Sequence, residues 1–495
     1  MIAPLRLNLD RALAAPSMAP ALLVVATVGV AALLPLAVAP GPGVMATVLV
    51  VAAAAVAAPL LLGKAAAERL LLLYIFLAPL HFFMLGDTLV SLERESFGFR
   101  LSLSDLIVPV LLAVLLRQRI ENGSLLRSRT VLLLVAFVLA LNVSWLQSAF
   151  FLGSLTTFST GKLVGLVYLL VFAAAAIEVI RERSLWVRAI DALVLSGAVT
   201  GAIGIVGWLI WRVGGVSNHL MDHDRLTSTM WDDPNIFGSF MGVTLILALM
   251  RVRLGSGSSR WFWSAAAAIA LAALIFSQSR SGSIATAAGL AVLLVWYRPS
   301  VALAVATALL VVGALLWATE TWVGLPVSGG AGIWNDQRIS SDTIESRVGF
   351  WRSGAALLPA EGLTGIGVGA FEQINFVQES SRSTGGFARA HNTYLASVLE
   401  LGLAGTVALG LFGLGVLHAF REGLRRLGRE DRWRLAGIAS ALITMLVFAF
   451  FVDALYQRHL WVLIALILAA PRIVEAARRQ KTTEVYTGSA VRSTR

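Results

Sequence analysis

The sequence predicts an all-α polytopic membrane protein with about 14 transmembrane helices. Three observations carry that prediction. Of 495 residues, 58% are hydrophobic and only 14% are charged, whereas soluble chains carry about 25% charged residues. Mean hydropathy is +0.82. Apolar runs of about twenty residues, long enough to cross a ~30 Å hydrocarbon core as a helix, recur along the whole chain. A water-soluble enzyme and a disordered chain are both excluded by this content. Cysteine is absent, which excludes disulfides, thiolate nucleophiles, zinc–thiolate sites and iron–sulfur clusters.

In chain order the runs fall near 20–39, 44–62, 69–86, 102–116, 130–149, 162–180 and 189–211. They continue at 235–250, 261–277, 282–297, 300–318, 392–419, 433–452 and 456–472. The first ends in Ala37-Val38-Ala39, yet Pro40 disfavours cleavage there and another run begins at once. It reads as a retained helix, not a signal peptide. With both termini placed in the cytoplasm and the connections alternating, 27 of the 39 Lys and Arg lie inside. Net charge is then +16 inside and −5 outside, as the positive-inside rule requires. The net charge of +11 therefore reports topology, not nucleic-acid binding. Residues 1–318 hold helices 1–11, 319–390 form one large outer loop, 391–473 hold helices 12–14, and 474–495 are a cytoplasmic tail.

A loop as long as 319–390 is usually functional or disordered, and this one contains a helical pattern. Thr343 can cap a segment in which Ile344, Val348, Trp351, Ala355 and Leu358 recur at threes and fours, giving one apolar face. With Arg347 and Arg352 alongside, the segment reads as a helix lying on the membrane surface. A second outer connection, 212–235, is polar, and Asp233-Pro234 is a helix-start signal. Membrane interiors are nearly free of charge, with only Glu400 well inside a run. Secondary transporters instead place charged residues along their pathways.

The unusual polar residues sit on the outer side, where arginine should be scarce. Arg280 lies in Ser277-Gln278-Ser279-Arg280-Ser281-Gly282, a tight connection whose serines and glycine suit close approach of an anion. Arg347 lies in Glu345-Ser346-Arg347-Val348-Gly349-Phe350-Trp351-Arg352, and Arg389-Ala390-His391-Asn392-Thr393-Tyr394 opens the twelfth run. Gly365-Ile366-Gly367-Val368-Gly369 lacks the βαβ context of a dinucleotide fingerprint and reads as a tight turn, alone or beside an anion. His219 and His223 are four apart with Asp222 and Asp224 beside them, but in a short polar loop, so no metal site is assigned. A lipid-phosphate phosphatase would need His six residues after its Ser-Arg. That position holds Thr286, Ser353 or Ala388, so that class fails.

This ordered set resembles the O-antigen ligase/polymerase superfamily of bacterial envelope glycosyltransferases. Its carriers are Ser279-Arg280, Arg347-x-x-x-Trp351, the Gly365–Phe371 run, His391-Asn392-x-Tyr394-Leu395 and Glu400-x-Gly402-x-x-Gly405. Asp233-Pro234-Asn235-x-x-Gly238 also matches the family's habit. The resemblance implies the GT-C architecture in the bacterial inner membrane, with the active site on the periplasmic side. It implies a glycan donor on undecaprenyl diphosphate, an acceptor hydroxyl on a glycolipid or glycan, and metal-independent, cofactor-free transfer with inversion. The family's essential histidine falls on His391. Its two diphosphate-binding arginines fall on Arg280 and Arg347, with Arg352 and Arg389 close competitors for the second place.

Physical chemistry agrees with that implication. When a hydroxyl attacks the anomeric carbon, the leaving diphosphate gains charge, and guanidinium groups bind phosphate oxygens through paired hydrogen bonds. His391 either takes the hydroxyl proton or only orients that hydroxyl. Asn392 and Tyr394 position the histidine or the sugar, and Glu400 makes a structural hydrogen bond. A ligase delivering the glycan to lipid A–core ranks first, ahead of a repeat-unit polymerase of the same superfamily. A glycan transporter is the reading from another class.

Overall fold

The structure, a computed structural model, describes residues 66–79, 103–122, 129–214, 220–222, 225–228, 233–297, 341–373 and 391–474. The runs at 20–39, 44–62 and 300–318 lie outside these residues, as do His219, His223, Asp224 and Arg389. Apart from one two-residue hairpin, the described elements are helices. They are α1 Ala66–Leu77, a 3-10 turn Leu103–Leu106, α2 Ile107–Asn122, α3 Arg129–Leu152, α4 Thr157–Val179 and α5 Arg183–Gly214. The hairpin pairs β1 Met221–Asp222 with β2 Arg225–Leu226. Then come α6 Pro234–Leu254, α7 Gly257–Ser277, α8 Arg280–Tyr297, α9 Ser341–Glu361, α10 Thr393–Arg426 and α11 Arg429–Phe448. A last helix, α12, spans 458–474.

Seven of these are long and apolar enough to cross a membrane: α3 through α8, less the hairpin, and α10. α11 falls short because Arg429, Glu430, Asp431, Arg432 and Arg434 crowd its first turns. Large apolar side chains face outward at helical spacing, as on α3 (Leu139, Val143, Leu146, Phe150) and α5 (Val199, Ile203, Val206, Ile210, Val213). Lipid is the solvent such stripes suit.

Small residues bring the central helices together, as expected where van der Waals packing drives association. α6 lies in the middle, with every residue from Phe237 to Ala248 buried. Gly197 of α5 abuts Thr244 of α6, Gly242 of α6 abuts Thr286 of α8, and Gly289 of α8 abuts Thr444 of α11. The Trp186 indole donates to the Leu466 carbonyl at 2.9 Å, tying α5 to α12.

The two ends of the bundle differ in charge chemistry. At one end, arginines meet acids: Arg183 with Asp431 and Glu430, Arg434 with Glu430 and Asp431, Arg251 with Asp191, Arg472 with Glu178, and Arg188 with Glu68. Every one of these arginines falls in the basic connections that the sequence grouped on a single side. The starts of α4, α6, α8 and α10 lie at the other end.

Candidate functional site

α8 begins at Arg280 itself. Only Gln278 and Ser279 separate it from α7, and Gln278 makes the reversal with a left-handed φ of 50°. The Ser279 hydroxyl caps α8, accepting from the Gly282 amide at 3.0 Å. It donates to Asn235 Oδ1 at 3.1 Å, an oxygen that also receives Arg225 Nη2 at 3.1 Å and the Ser281 hydroxyl at 3.4 Å. Asn235 stands there because Asp233 caps α6, accepting from the amides of Asn235 and Ile236 at 2.8 and 3.2 Å, with Pro234 in the first turn. Gly238 and Gly282 then let the two helix starts touch. A Cβ on Gly238 would stand 2.6 Å from Ser279 Cβ, and one on Gly282 would stand 2.9 Å from the Gly238 carbonyl carbon. Thus the Asp-Pro-Asn-x-x-Gly run has one structural task, seating the turn before Arg280.

His391 sits just before α10 with φ 46°, the left-handed region that few non-glycine residues occupy. Asn392 caps the helix: its Oδ1 accepts from the Tyr394 and Leu395 amides, both at 3.0 Å. The Tyr394 hydroxyl donates to the Leu446 carbonyl at 2.7 Å, and its ring lies 4.4 Å from that of Phe450. Both side chains therefore hold the backbone that carries His391. Thr393 fastens the same stem to the end of α11. Its amide donates to the Ala449 carbonyl at 2.8 Å, its hydroxyl donates to Val452 O at 2.8 Å, and it accepts from the Ala454 amide at 2.8 Å. Gly289 of α8 meets Thr444 of α11, and Tyr297 stacks on Trp433 at 4.9 Å, which sets an antiparallel α8–α11 register. Continuing that register brings the start of α8 level with the end of α11. Arg280 and the His391 stem are thus at the same end of the bundle.

α10 is broken in its third turn, where Gly402 has φ 64°. A break inside a membrane-embedded helix is tolerated when other groups take up the freed backbone atoms. The glycine run does this. The Ile366 amide donates to Leu399 O at 2.8 Å, the Gly367 amide donates to Glu400 O at 3.1 Å, and the Leu403 amide returns to Gly362 O at 2.9 Å. The Ser144 hydroxyl adds a bond to Glu400 O at 2.6 Å. Gly365, Gly367 and Gly369 all have positive φ. The run forms the expected tight turn, and the amides of 366 and 367 go to protein carbonyls. The Glu400 carboxylate lies near the Gly369 amide and Lys162.

Beside this junction lies a buried charge cluster the sequence did not reveal. Lys162, near the start of α4, is 2.8 Å from Glu372 and 3.4 Å from Asp453, with Tyr456 facing the ammonium at 4.3 Å. A second buried pair joins Arg458 to Asp105, Nε to Oδ1 at 2.9 Å and Nη2 to Oδ2. Asp105, in the turn before α2, and Arg458, the first residue of α12, stand at helix starts and are both buried. They are tolerated because each neutralises the other with two hydrogen bonds.

The helix expected within 319–390 exists, as α9, with one correction. It begins at Ser341, so Thr343 lies in its first turn and is not its cap. The face it docks on the protein is centred on Gly354, outside the apolar stripe. Trp351 and Ala355 are exposed, whereas Gly354 is buried, fitting closely against Leu399 and Phe371. Leu357 and Leu358 pack against the cluster of Ile366, Ala370, Phe371 and Leu399. The glycine fixes which face docks, because only there can α9 approach α10. Arg347 belongs to the second turn of α9, and its side chain lies outside the described set. Arg352, five residues on, is exposed.

Taken together, these elements define an all-helical, multi-pass membrane protein with polar groups gathered at one end of its bundle. Residues 265–410 match the family model described as O-antigen ligase, and the match supports membership of the O-antigen ligase superfamily. The matched segment runs from within α7 to beyond the α10 break, taking in Arg280, α9, the glycine run and His391. No curated protein matches the chain significantly. The family suggests a membrane glycosyltransferase-like ligase or polymerase.

Arg225, Asn235, Lys162 and Asp453 fall outside the matched residues and were not singled out in the sequence as site residues. For Arg225 a signal existed. It is an arginine on the side predicted to be poor in them, the same argument that marks Arg280.

Proposed function

We propose that the protein is an inverting glycosyltransferase of GT-C architecture in the bacterial inner membrane, with both termini cytoplasmic. It moves a glycan from undecaprenyl diphosphate to an acceptor hydroxyl at the periplasmic face. The observation that carries this reading is the family match, which spans Arg280, Arg347 and His391 in order. In the reaction the acceptor oxygen bonds to the anomeric carbon as the bond from that carbon to the diphosphate oxygen breaks. The hydroxyl proton passes to His391 or is held by it, and undecaprenyl diphosphate leaves with the bonding electrons. Arg280 and Arg347 bind the phosphate oxygens as negative charge grows on them, which needs no metal ion. Losing one donor of this kind costs about 3–4 kcal/mol of transition-state stabilisation.

The favoured acceptor is lipid A–core, which makes the enzyme a ligase. The test is the glycolipid profile of the native host carrying His391→Ala. Accumulated long glycan on undecaprenyl diphosphate, with loss of surface glycan, is the expected result. A stalled single repeat unit would make the enzyme a polymerase instead. An unchanged profile at normal protein level would reject the site and reopen the transporter reading.

A further inference from the structure

We propose that Arg225 and Asn235 are positioning residues for Arg280, a role that rests on the glycosyltransferase reading above. The grip is specific. Arg225 donates through Nε to the Ser277 carbonyl at 3.3 Å and through Nη2 to Asn235 Oδ1 at 3.1 Å. One guanidinium therefore spans the connection from its α7 side to the residue that receives Ser279. Because Ser279 directly precedes Arg280, whatever fixes its hydroxyl fixes the first turn of α8.

The hairpin carrying Arg225 is itself fastened to the bundle. The Leu226 side chain is fully buried against Gly204 of α5, and the Ser228 hydroxyl donates to the Thr200 carbonyl at 2.6 Å. The amides of Thr227 and Ser228 both donate to Leu220 O, at 3.0 and 2.9 Å. A rigid support reaches the turn from α5, a second from the capped start of α6, and they meet at Asn235 Oδ1.

Such a construction exceeds what a helix connection needs. A two-residue turn already joins α7 to α8, and Gly238 and Gly282 already pack the starts of α6 and α8. A guanidinium at the end of a long side chain magnifies any rotation of its own backbone, and an ångström of misplacement costs about a hundredfold in rate. Lysine cannot replace Arg225 fully, since its single ammonium lacks the planar fork that reaches two acceptors at fixed spacing.

The test uses full-length protein in detergent, with membranes from the His391→Ala host as the source of native donor and the rate of glycan transfer as readout. Arg225→Gln and Asn235→Ala should each lower kcat by about tenfold or more while the donor KM stays within about threefold. Asn235→Asp, which keeps the accepting oxygen, should recover most of what Asn235→Ala loses, and Arg225→Lys should fall between wild type and Arg225→Gln. In an Arg280→Lys background, Arg225→Gln should cost much less than alone, because it acts through Arg280. A raised KM at unchanged kcat would overturn the proposal by making Arg225 a direct substrate ligand. Asn235→Asp as slow as Asn235→Ala would overturn it, as would losses that follow protein yield alone. If Arg280→Ala and His391→Ala still transfer glycan, the enzymatic reading fails first. If only those two are inactive and Arg225→Gln is not, the positioning role alone fails.

Discussion

The turn that presents Arg280 and the stem that presents His391 share one end of the bundle but are held by different chemistry. Around Arg280 the holding groups are an asparagine, serine hydroxyls and one arginine, with two glycines setting the helix separation. Around His391 the stem leans on the end of α11, whose next residues include Asp453, and Asp453 is held by the buried Lys162 together with Glu372. The first seat is short-range and mostly neutral, so its parts fail one hydrogen bond at a time. The second joins α4, the glycine run and the α11–α12 connection through charge, and it fails as a unit when one charge is removed.

The largest expected effects are on catalysis, at the presented residues themselves. Arg280→Ala should slow glycan transfer by about 10²–10³-fold, and His391→Ala by about 10²–10⁴-fold if it acts as a base. Equal protein levels in the membrane make the comparison valid. A His391→Ala loss below tenfold would point to orientation of the acceptor only.

Next in size is the charged seat. Lys162→Met strands two carboxylates in a buried site, which costs about 3–5 kcal/mol. Thermal inactivation in detergent should be markedly faster, and neutralising both partners as well (Glu372→Gln with Asp453→Asn) should restore much of the lifetime. No such rescue would mean that Lys162 stabilises by packing on Tyr456 and Phe158, not by charge.

Gly402→Ala places a side chain where φ is 64° and Gly365 N would lie 2.5 Å from the new Cβ. Strain of this type costs about 1–3 kcal/mol, so its effect on lifetime should be smaller than that of Lys162→Met. The smallest effect is expected from Tyr394→Phe. One partly exposed hydrogen bond to Leu446 is lost, worth about 0.5–1.5 kcal/mol, and transfer should stay within a few fold of wild type.

The helices were legible because membrane spans announce themselves by length and apolarity. The predicted starts of α6 and α8 lie within two residues of those observed, since Pro234 and the Ser-Gly run mark them locally. The Glu400-x-Gly402 and Gly365-x-Gly367 motifs were visible too, but not that each exists for the other. What stayed hidden was pairing across the chain. Lys162 and Glu372 are 210 residues apart, and Asp105 and Arg458 are 353 apart. No local period records such partners, and a lysine near a helix end reads the same whether it meets water or a buried carboxylate. The docking face of α9 stayed hidden for a related reason. Helical spacing finds apolar residues, but a glycine decided the docking face, and glycine adds nothing to an apolar pattern.

The break at Gly402 also bears on how this sequence can change over time. A Cβ on Gly365 would run into the backbone at Glu400 and Gly402, and a Cβ on Gly402 would run into the backbone at Leu363, Thr364 and Gly365. Each glycine fills the space the other's side chain would need. Neither position can drift alone, so homologues that lose one should alter the other, leaving a coupled pair of sites thirty-seven residues apart.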